Sequence, residues 1–477
     1  MPKDLRSFLK EYEAKYPEDV IHIEKEVNGV QEITALVEHL EKLGKTPLLF
    51  FHNVITKEGK KAEMPVVTNM LASRTRYARI VNSTSETLGS DVYKATRVES
   101  KAPKVITRAE APVKEVIKTG DKINLFEFPV QVHCAMDVGY YIPSGSLITY
   151  DPDSGIDNCS LQRGWIREKD TIRISIKTRP MHNGWNLYKH EIKNEGMKVA
   201  YWVGHHPLAY IGGQSKLPYP GSHWEAMSGL LGEPLRLVAS ESLGDDFLVP
   251  ADAEIVIEGV LEPNKRYAEA PFGEFPGYYG AQGPNPQCKV TAITHRRDAI
   301  WYNIVGGHLD HTGTGSPPLE GLLWEFIKPR IPCLQKVYVP LSGVGRYHAY
   351  LQLKNPGKGE AKQAITLALS ASAERFKHVF VFDDDVDIFD PREVMWAIAT
   401  RTQWGRDVTI MPKFKIVHAD PSGGVDGLCD VGGIDCTKPW GEPYEERVGV
   451  DPEIKQRIKL EEFVAPDALA RINTERV

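Results

Sequence analysis

The chain has 477 residues, of which 42% are hydrophobic and 26% are charged, and its formal net charge is −6. This length predicts two or three domains, and this composition is typical of a soluble globular protein. The mild negative charge indicates neither a nucleic-acid partner nor an anionic membrane surface. No apolar run is long enough to span a bilayer and the first residues lack a secretion signal, so we expect a cytoplasmic protein with no membrane contact.

The cysteine pattern is also informative. The six cysteines are sparse, and no two of them form a Cys-x-x-Cys pair. We therefore expect reduced thiols rather than a disulfide framework or a zinc site. The residues concerned are Cys134, Cys159, Cys288, Cys333, Cys429 and Cys436.

The first hundred residues alternate between helical and strand patterns. Apolar residues at helical spacing predict helices over 4–15 and 32–43, and strands are predicted over 20–24 and 47–51. This alternation favours a small α/β domain that ends near residue 105. Prolines in the segment that follows, over 103–112, suggest a linker.

Between about residues 125 and 305 the pattern changes to short strands separated by turns. Such spacing favours a β-barrel or a strongly curved sheet, and barrel mouths are common ligand sites. The clearest strand patterns, rich in β-branched residues, lie over 145–150, 171–178, 253–258 and 288–294.

From about residue 320 onward an α/β pattern returns. A helix is predicted over 322–331, a strand over 379–382 and a helix that Asp390 caps and that continues to about 401. The tail after Asp451 resembles another capped helix, and such an end often docks on a partner subunit.

A stretch rich in proline and glycine carries two carboxylates, Glu269 and Glu274. Its composition rules out a regular helix and favours a shaped loop. We expect burial against Phe272, Phe275 and Tyr278 to raise the pKa of Glu274 and to keep it protonated near neutrality. The other carboxylate can stay ionised beside a cation, which is the layout of a proton donor next to a charged orienter. A solvated surface turn is the alternative.

Other polar residues could complete such a site. Arg163 is the natural cation for one of the glutamates or for a carboxylate substrate, although an arginine at a strand end can also simply reach solvent. Asn158, His182 and Glu225 supply ligands that suit Mn²⁺ or Mg²⁺, but their spacing carries no metal signature.

Three irregular segments have weaker signals. The loop over 212–222 precedes a predicted helix over 224–231, whose N-terminus could receive a phosphate. His308 and His311 could line a pocket or lie in a plain interdomain loop. An acidic turn at the end of a strand is favoured over a metal cluster for Asp383, Asp384, Asp385 and Asp387.

Taken together, these features resemble the UbiD family of decarboxylases, which use prenylated flavin mononucleotide (FMN). The resemblance covers nearly the whole chain. It implies an α+β multidomain fold with an N-terminal α/β domain over 1–105, a central split β-barrel of the flavin-reductase type over 106–318 and a C-terminal α/β association domain over 319–477. The matching motifs are Pro65-Val-Val-Thr-Asn69 with Ser73-Arg74, Glu269-Ala-Pro-Phe-Gly-Glu274, Asp385-Val-Asp387 and Gly433-Ile-Asp-Cys-Thr437.

The resemblance also implies roles for individual residues. Arg163 and Glu269 would orient the substrate, and Glu274 would donate the proton. Mn²⁺, held against the flavin phosphate by Asn158, His182 and Glu225, and K⁺ would accompany the cofactor. The positions that contact the flavin in relatives match Asn158, Ser160, Leu161, Gln162, Arg163, Met181, His182 and Glu225.

The implied activity is the reversible, non-oxidative decarboxylation of an aromatic, heteroaromatic or α,β-unsaturated acid. A flavin prenyltransferase would supply the cofactor, and the protein would form a homodimer or a higher homo-oligomer. The sequence departs from ferulate-type relatives in two ways: it has no evident counterpart of their phosphate-binding lysine, and the loop around His308 and His311 differs. A flavin-independent metal lyase or hydrolase that uses Asn158, His182 and Glu225 stays open, as does a non-catalytic flavin-binding or chaperone-like protein.

Overall fold

The structure, a computed structural model, describes residues 2–176, 182–372, 374–424, 426–465 and 468. It is a mixed α+β fold of several sheets, which confirms the predicted fold class. All six cysteines are free thiols. Among the described residues, no helix combines the length and the apolar character needed to cross a bilayer.

The N-terminal region contains the predicted helices. Helix Leu5–Lys15 begins at Asp4, whose side chain accepts the Ser7 N–H, and it buries the apolar positions that predicted it. Helix Glu32–Lys42 follows. The four-stranded sheet beside them has the order Val20–Ile23, Leu48–Phe51, Val66–Thr68 and Trp301–Tyr302.

The last strand of this sheet comes from much later in the chain. Trp301–Tyr302 pairs in parallel with Val66 and Val67, so the central part of the chain completes the N-terminal sheet. A two-residue strand carries no periodic signal, and the sequence did not predict it.

A curved nine-stranded sheet forms the centre of the molecule, as the strand spacing predicted. Its register shifts between Glu258 and Gly259, where a bulge bends the sheet. Eight of its strands follow one another across the sheet, and all seven adjacent pairs are antiparallel. The ninth strand, Val116–Thr119, pairs with the long strand Gln287–His295. The order along the path is Asp157–Leu161, Ser146–Tyr150, Met197–Val203, Ile255–Leu261, Gln287–His295, Thr171–Ile174, Gly164–Glu168 and Tyr141–Ile142.

Both faces of this sheet are buried. Successive residues of a strand point to opposite faces, and Tyr201 and Trp202 accordingly belong to two different hydrophobic cores. Helices pack around the sheet. Their bounds are His182–Glu191, Pro207–Gly213 and His223–Leu231.

The segment predicted to be a linker is part of a sheet instead. Lys104–Val105 pairs in parallel with Arg236–Ala239, which in turn pairs with Leu248–Pro250. Pro103 precedes this short edge strand, where a missing backbone donor is tolerated, and Pro112 begins the 3₁₀ turn Pro112–Lys114.

The C-terminal region consists of a five-stranded sheet with helices packed against it. Its strand order is Leu334–Tyr338, His348–Leu353, His378–Asp383, Leu428–Cys436 and Val408–Lys415. Further helices of the chain are Arg74–Val81, Leu88–Tyr93, Leu309–Gly313, Ser316–Ile327, Glu360–Ala371, Pro391–Arg401, Trp404–Asp407, Pro452–Arg457 and Leu460–Phe463.

Two predictions for this region can be compared with the structure. The acidic turn is structural, as favoured, because Arg401 pairs with Asp383 at 3.0 Å and with Asp385 at 2.7 Å. The tail after Asp451 is helical but not continuous, since a break at Ile458 and Lys459 separates two short helices.

Candidate active site

Arg163 and Glu274 meet at the wall of one cavity, and Glu269 is buried beside Arg163. The cavity has a volume of about 180 Å³, and Arg163 and Glu274 line it together with Phe272 and Phe275. Residues from the central sheet form one side, and residues 346, 375 and 417–419 of the C-terminal region form the other. The site therefore lies between the central and C-terminal parts of the fold.

Arg163 binds both glutamates at once. Its Nε and Nη2 donate to the two carboxylate oxygens of Glu269 at 2.9 and 2.8 Å, and its Nη1 donates to Glu274. The fork of the guanidinium matches a carboxylate in this bidentate way, which makes the pair with Glu269 the stronger and more directional contact. The predicted pairing of Arg163 with the glutamates is present in the structure.

Glu269 is fixed from every side. Its side chain is fully buried, and it accepts two further hydrogen bonds, from the Tyr141 hydroxyl at 3.0 Å and from Asn285 Nδ2 at 2.9 Å. Four donors satisfy the buried carboxylate oxygens and hold the side chain in one position. This agrees with its expected role as an orienter.

The protonation expected for Glu274 is wrong for this state of the protein. Burial is the largest influence and raises the pKa of this carboxyl group, but Arg163, His311, the Phe275 N–H and Arg346 together outweigh burial, and the pKa lies below its usual value. Phe272 and Phe275 are buried as expected, whereas the Tyr278 side chain is exposed. The sequence could not show that one arginine would serve both carboxylates.

The proline- and glycine-rich stretch is a hairpin rather than an irregular loop. Phe272–Gly273 pairs with Tyr279–Gly280, and the Glu274 N–H donates to the Tyr278 carbonyl at 2.9 Å. The backbone turns tightly here, with Gly277 at a φ of 79°. The hairpin holds Glu274 at the cavity wall on a short, well-bonded backbone.

Three cations around the site were not predicted. Lys216 and Arg375 line this cavity and also a neighbouring one of about 580 Å³, and Arg346 lines the first. None of them forms an ion pair with a carboxylate in the described part of the chain; Glu374, beside Arg375, pairs instead with Lys415 at 2.6 Å. The two cavities thus offer unmatched positive charge, which suits anionic ligands.

Burial and mutual repulsion perturb these cations. Burial, together with the charges of Arg375 and Arg346, lowers the pKa of Lys216 to about 7. Burial and Arg375 lower the pKa of Arg346 to about 10. Lys216 lies in the loop over 212–222. The sequence predicted a phosphate site at the N-terminus of the helix that follows this loop, and the structure shows that a lysine of the loop itself also lines the cavities.

The proposed metal ligands are only partly brought together. Asn158 and His182 both line the 580 Å³ cavity, and Asn158 Nδ2 is buried without a hydrogen-bond partner. Glu225 is exposed in the first turn of helix His223–Leu231 and is not among the residues that line this cavity. No group of three or more His, Cys, Asp or Glu side chains among the described residues is arranged to hold a metal ion.

The residues expected to contact the flavin lie where the cavities meet. Ser160 lines both cavities, and Leu161 and Gln162 line the smaller one. All three are carried by the edge strand Asp157–Leu161 and the turn after it. Met181 lies outside the described residues.

The structure separates the two histidines near residue 310. His308 lies 2.9 Å from the Glu41 carboxylate and is not among the residues lining the cavity, whereas His311 lines it. Burial lowers the pKa of His311 to about 4, so its imidazole is neutral near pH 7. The loop between Gly306 and Ser316 also contains a helix, Leu309–Gly313, that the sequence did not predict.

Comparison with known proteins places the chain in a family. The models for the N-terminal, Rift-related and C-terminal domains of 3-octaprenyl-4-hydroxybenzoate carboxy-lyase match residues 13–96, 104–309 and 313–436. A phenolic acid decarboxylase of Sedimentibacter hydroxybenzoicus is 32% identical over 455 residues, which cover 92% of each chain.

Solved structures agree with this assignment. The UbiD-class enzyme HmfF of Pelotomaculum thermopropionicum in complex with FMN is 35% identical, with a TM-score of 0.87 over 97% of this chain and 100% of that one. An evolved dimeric form of the same enzyme in complex with prFMN is 34% identical, with a TM-score of 0.84 and the same coverage. The chain described here therefore belongs to the UbiD family and is a carboxy-lyase.

Proposed function

We propose that this enzyme decarboxylates, reversibly, an aromatic, heteroaromatic or α,β-unsaturated carboxylic acid with prenylated FMN, and that Glu274 donates the proton. The observation that supports this most strongly is the guanidinium of Arg163 at the cavity wall, shared between buried Glu269 and cavity-facing Glu274. Such a reaction requires a carboxylate, a cation that can bind a second carboxylate and an enclosed apolar surface.

The cofactor would lie where the two cavities meet. Ser160, Leu161 and Gln162 line one side, and Lys216 and Arg375 supply positive charge for its phosphate. When bound, the prenylated flavin supplies the electron sink that decarboxylation at an sp² carbon needs. Asn158 Oδ1 and the His182 imidazole would hold a metal ion beside that phosphate, and the buried Asn158 Nδ2, which has no acceptor among the described residues, would donate to a phosphate oxygen. Mn²⁺ and K⁺ are part of the proposal, with Glu225 as a third ligand once its side chain turns toward the cavity.

The protein residues would act on the substrate and its proton. Arg163 lines the cavity and would bind the substrate carboxylate through Nη1, while Glu269, itself held by Tyr141 and Asn285, keeps the guanidinium in place. The buried rings of Phe272 and Phe275 exclude water, which favours loss of the carboxylate charge. Glu274 would then protonate the carbon that lost CO₂.

A flavin-independent metal lyase or hydrolase at Asn158, His182 and Glu225 has less support. Glu225 is not in the cavity wall, and neither the shared arginine nor the unpaired cations would have a function in it. The absorbance spectrum of the purified enzyme discriminates between the two, since only a flavoprotein absorbs beyond the bands of the protein itself.

We also propose three domains, over 1–105, 106–318 and 319–477, and a cytoplasmic homodimer or larger homo-oligomer. The support for association is the apolar surface of the C-terminal region, where Trp404 is 83% exposed and Phe463 is 67% exposed. Such exposed apolar groups are typical of a protein interface. A flavin prenyltransferase in the same cell would supply the cofactor.

The test is a screen of carboxylic acids with two preparations of the enzyme. One is produced together with a flavin prenyltransferase and the other with ordinary FMN only, and CO₂ release is measured for benzoate-, cinnamate- and furoate-type acids. We expect turnover only in the first preparation. Full turnover in the second would overturn the assignment of the cofactor, and no turnover of any acid by a prenylated-flavin-loaded enzyme would overturn the substrate class.

A further inference from the structure

The two carboxylates on Arg163 are held very differently. Glu269 has four donors from three side chains and is fully buried. Glu274 has Nη1 of Arg163 and the Phe275 N–H, and its side chain is 17% exposed toward the cavity. An incoming anion can therefore replace Glu274 on the guanidinium, whereas Glu269 cannot leave without breaking four hydrogen bonds.

The proposed reaction brings such an anion. Nε and Nη2 of the guanidinium donate to Glu269, so a substrate carboxylate that binds Arg163 from the cavity must compete for Nη1, which Glu274 occupies. Three ionised carboxylates around one guanidinium would repel one another strongly in a site from which water is excluded. One of them has to be neutralised, and Glu274 is the one held by fewer donors, because Glu269 already accepts four hydrogen bonds.

The other groups around Glu274 do not remove this charge. Arg163 faces it from the central sheet, His311 from helix Leu309–Gly313, and Arg346, Tyr347 and Arg375 from the C-terminal region. His311 is neutral near pH 7 because burial lowers its pKa to about 4. In the proposed complex Arg375 serves the cofactor phosphate, so among the described residues Arg346 is left as the one further cation that faces the two cavity carboxylates.

We propose that the substrate carboxylate displaces Glu274 from Arg163 and that Glu274 takes up one proton from solvent in the same step. The enzyme would thus acquire the proton that it later donates only after the acid has bound. No bond of the substrate changes in this step; one proton moves from water to the carboxylate of Glu274. The inference rests on the proposed function, because it requires a carboxylate substrate on Arg163.

The pKa shifts of Glu274 agree with this geometry. Burial raises the pKa of this group and Arg163 is the strongest influence that lowers it. Once the contact with Arg163 is lost, the effect of burial remains and favours the protonated form. The same two opposing effects explain how Glu274 can be ionised in the free enzyme and serve as an acid in the complex.

Proton uptake has a measurable consequence for binding. If binding consumes one proton, the dissociation constant of the carboxylate should rise about tenfold for each pH unit between pH 6 and 8. A carboxylate that binds without proton uptake would show no such dependence, since the ligand itself is ionised throughout this range.

The experiment uses the full chain loaded with FMN, so that binding is measured without turnover. Benzoate, cinnamate and 2-furoate are titrated calorimetrically at pH 7 in phosphate and in Tris, whose different ionisation enthalpies report the number of protons exchanged. We expect about one proton taken up for each acid bound. Glu274→Gln should bind with no proton uptake and with a dissociation constant independent of pH, and His311→Asn should keep the uptake of the wild type. The FMN content of each variant checks that its cavity is intact.

The outcomes separate this inference from the proposed function. Binding of an acid by the wild type without proton uptake overturns the inference alone. Uptake that persists in Glu274→Gln and disappears in His311→Asn also overturns it and makes His311 the acceptor. If none of the three acids binds and the enzyme releases CO₂ from no acid, the proposed function itself fails.

Discussion

The carboxylate of Asp137 accepts the backbone N–H of Gly273, the residue immediately before Glu274, at 2.9 Å. Its second oxygen accepts the N–H groups of His133 and Cys134 at 3.1 and 2.8 Å. One side chain thus ties the loop around residue 135 to the hairpin that carries the proposed proton donor. Asp137 contacts neither the cavity nor Arg163 in the structure, so it acts on the reaction through the position of Glu274.

Removing the Asp137 carboxylate should lower both the stability of the fold and the turnover rate. Asp137→Ala leaves three backbone N–H groups without their charged acceptor, and we expect about 1–3 kcal/mol of lost stability, measured by urea unfolding. We also expect a lower kcat with unchanged flavin content, because the hairpin loosens while the cofactor cavity stays intact. Asp121→Ala, at an exposed turn, is the control. A wild-type kcat in Asp137→Ala would show that the hairpin holds Glu274 in place without the hydrogen bonds to Asp137.

A buried histidine should make the fold sensitive to acid. His206 caps helix Pro207–Gly213 through its ring, which accepts the Leu208 N–H at 3.2 Å, and burial lowers its pKa to about 3. The unfolded chain binds a proton here below pH 6.5, whereas the folded chain stays neutral, so stability falls as the pH falls through this range. Between pH 7.5 and 5 this one group should cost about 2 kcal/mol.

The variant His206→Asn tests this effect, because asparagine can also cap a helix but does not titrate. We expect its free energy of unfolding to fall by about 2 kcal/mol less than that of the wild type over the same pH range. His39→Asn, at an exposed position of helix Glu32–Lys42, should behave like the wild type. An equal loss in wild type and His206→Asn would mean that this histidine is protonated in the folded protein.

The C-terminal tail should contribute to self-association. Ile454 and Phe463 lie in the two tail helices with their side chains exposed, and burying them against a second copy would stabilise a dimer by the hydrophobic effect. The double variant Ile454→Glu/Phe463→Glu should shift the mass measured by light scattering toward the monomer. Leu43→Glu, an equally exposed apolar position in the N-terminal region, should not. A monomeric wild type at micromolar concentration would count against the proposal.

Local patterns predicted much of the fold. The apolar spacing of Leu5, Phe8 and Tyr12 predicted a helix, and β-branched alternation predicted the strands of the central sheet, because each depends only on neighbouring residues. The strand Trp301–Tyr302 and the helix Leu309–Gly313 were missed. Both are short and form through contacts with distant parts of the chain, where local propensity is a weak guide.

The site could be predicted only in part. Residue types and the family resemblance together singled out Arg163, Glu269 and Glu274, but the protonation of Glu274 depends on its contact with Arg163, 111 positions earlier in the chain. Lys216 and Arg375 carry no sequence signal at all, since a single lysine or arginine in a loop usually reaches solvent. Only the fold shows that both face one cavity without a carboxylate partner in the described part of the chain.

The central claim is that Glu274 is the proton donor, and the most direct test is the turnover of Glu274→Gln loaded with prenylated FMN. The acid used is the best substrate found in the screen, and exchange of the product proton with D₂O is followed in the same samples. Glutamine keeps the shape of the side chain and removes its transferable proton. Glu195→Gln, at an exposed position, is the matched control and should keep wild-type activity.

We predict that decarboxylation and exchange both fall by about a hundred- to ten-thousand-fold in Glu274→Gln, since positioned acid catalysis is worth that much. The cofactor should remain bound at the level of the wild type. Near-native turnover by Glu274→Gln with a full complement of cofactor would contradict the account.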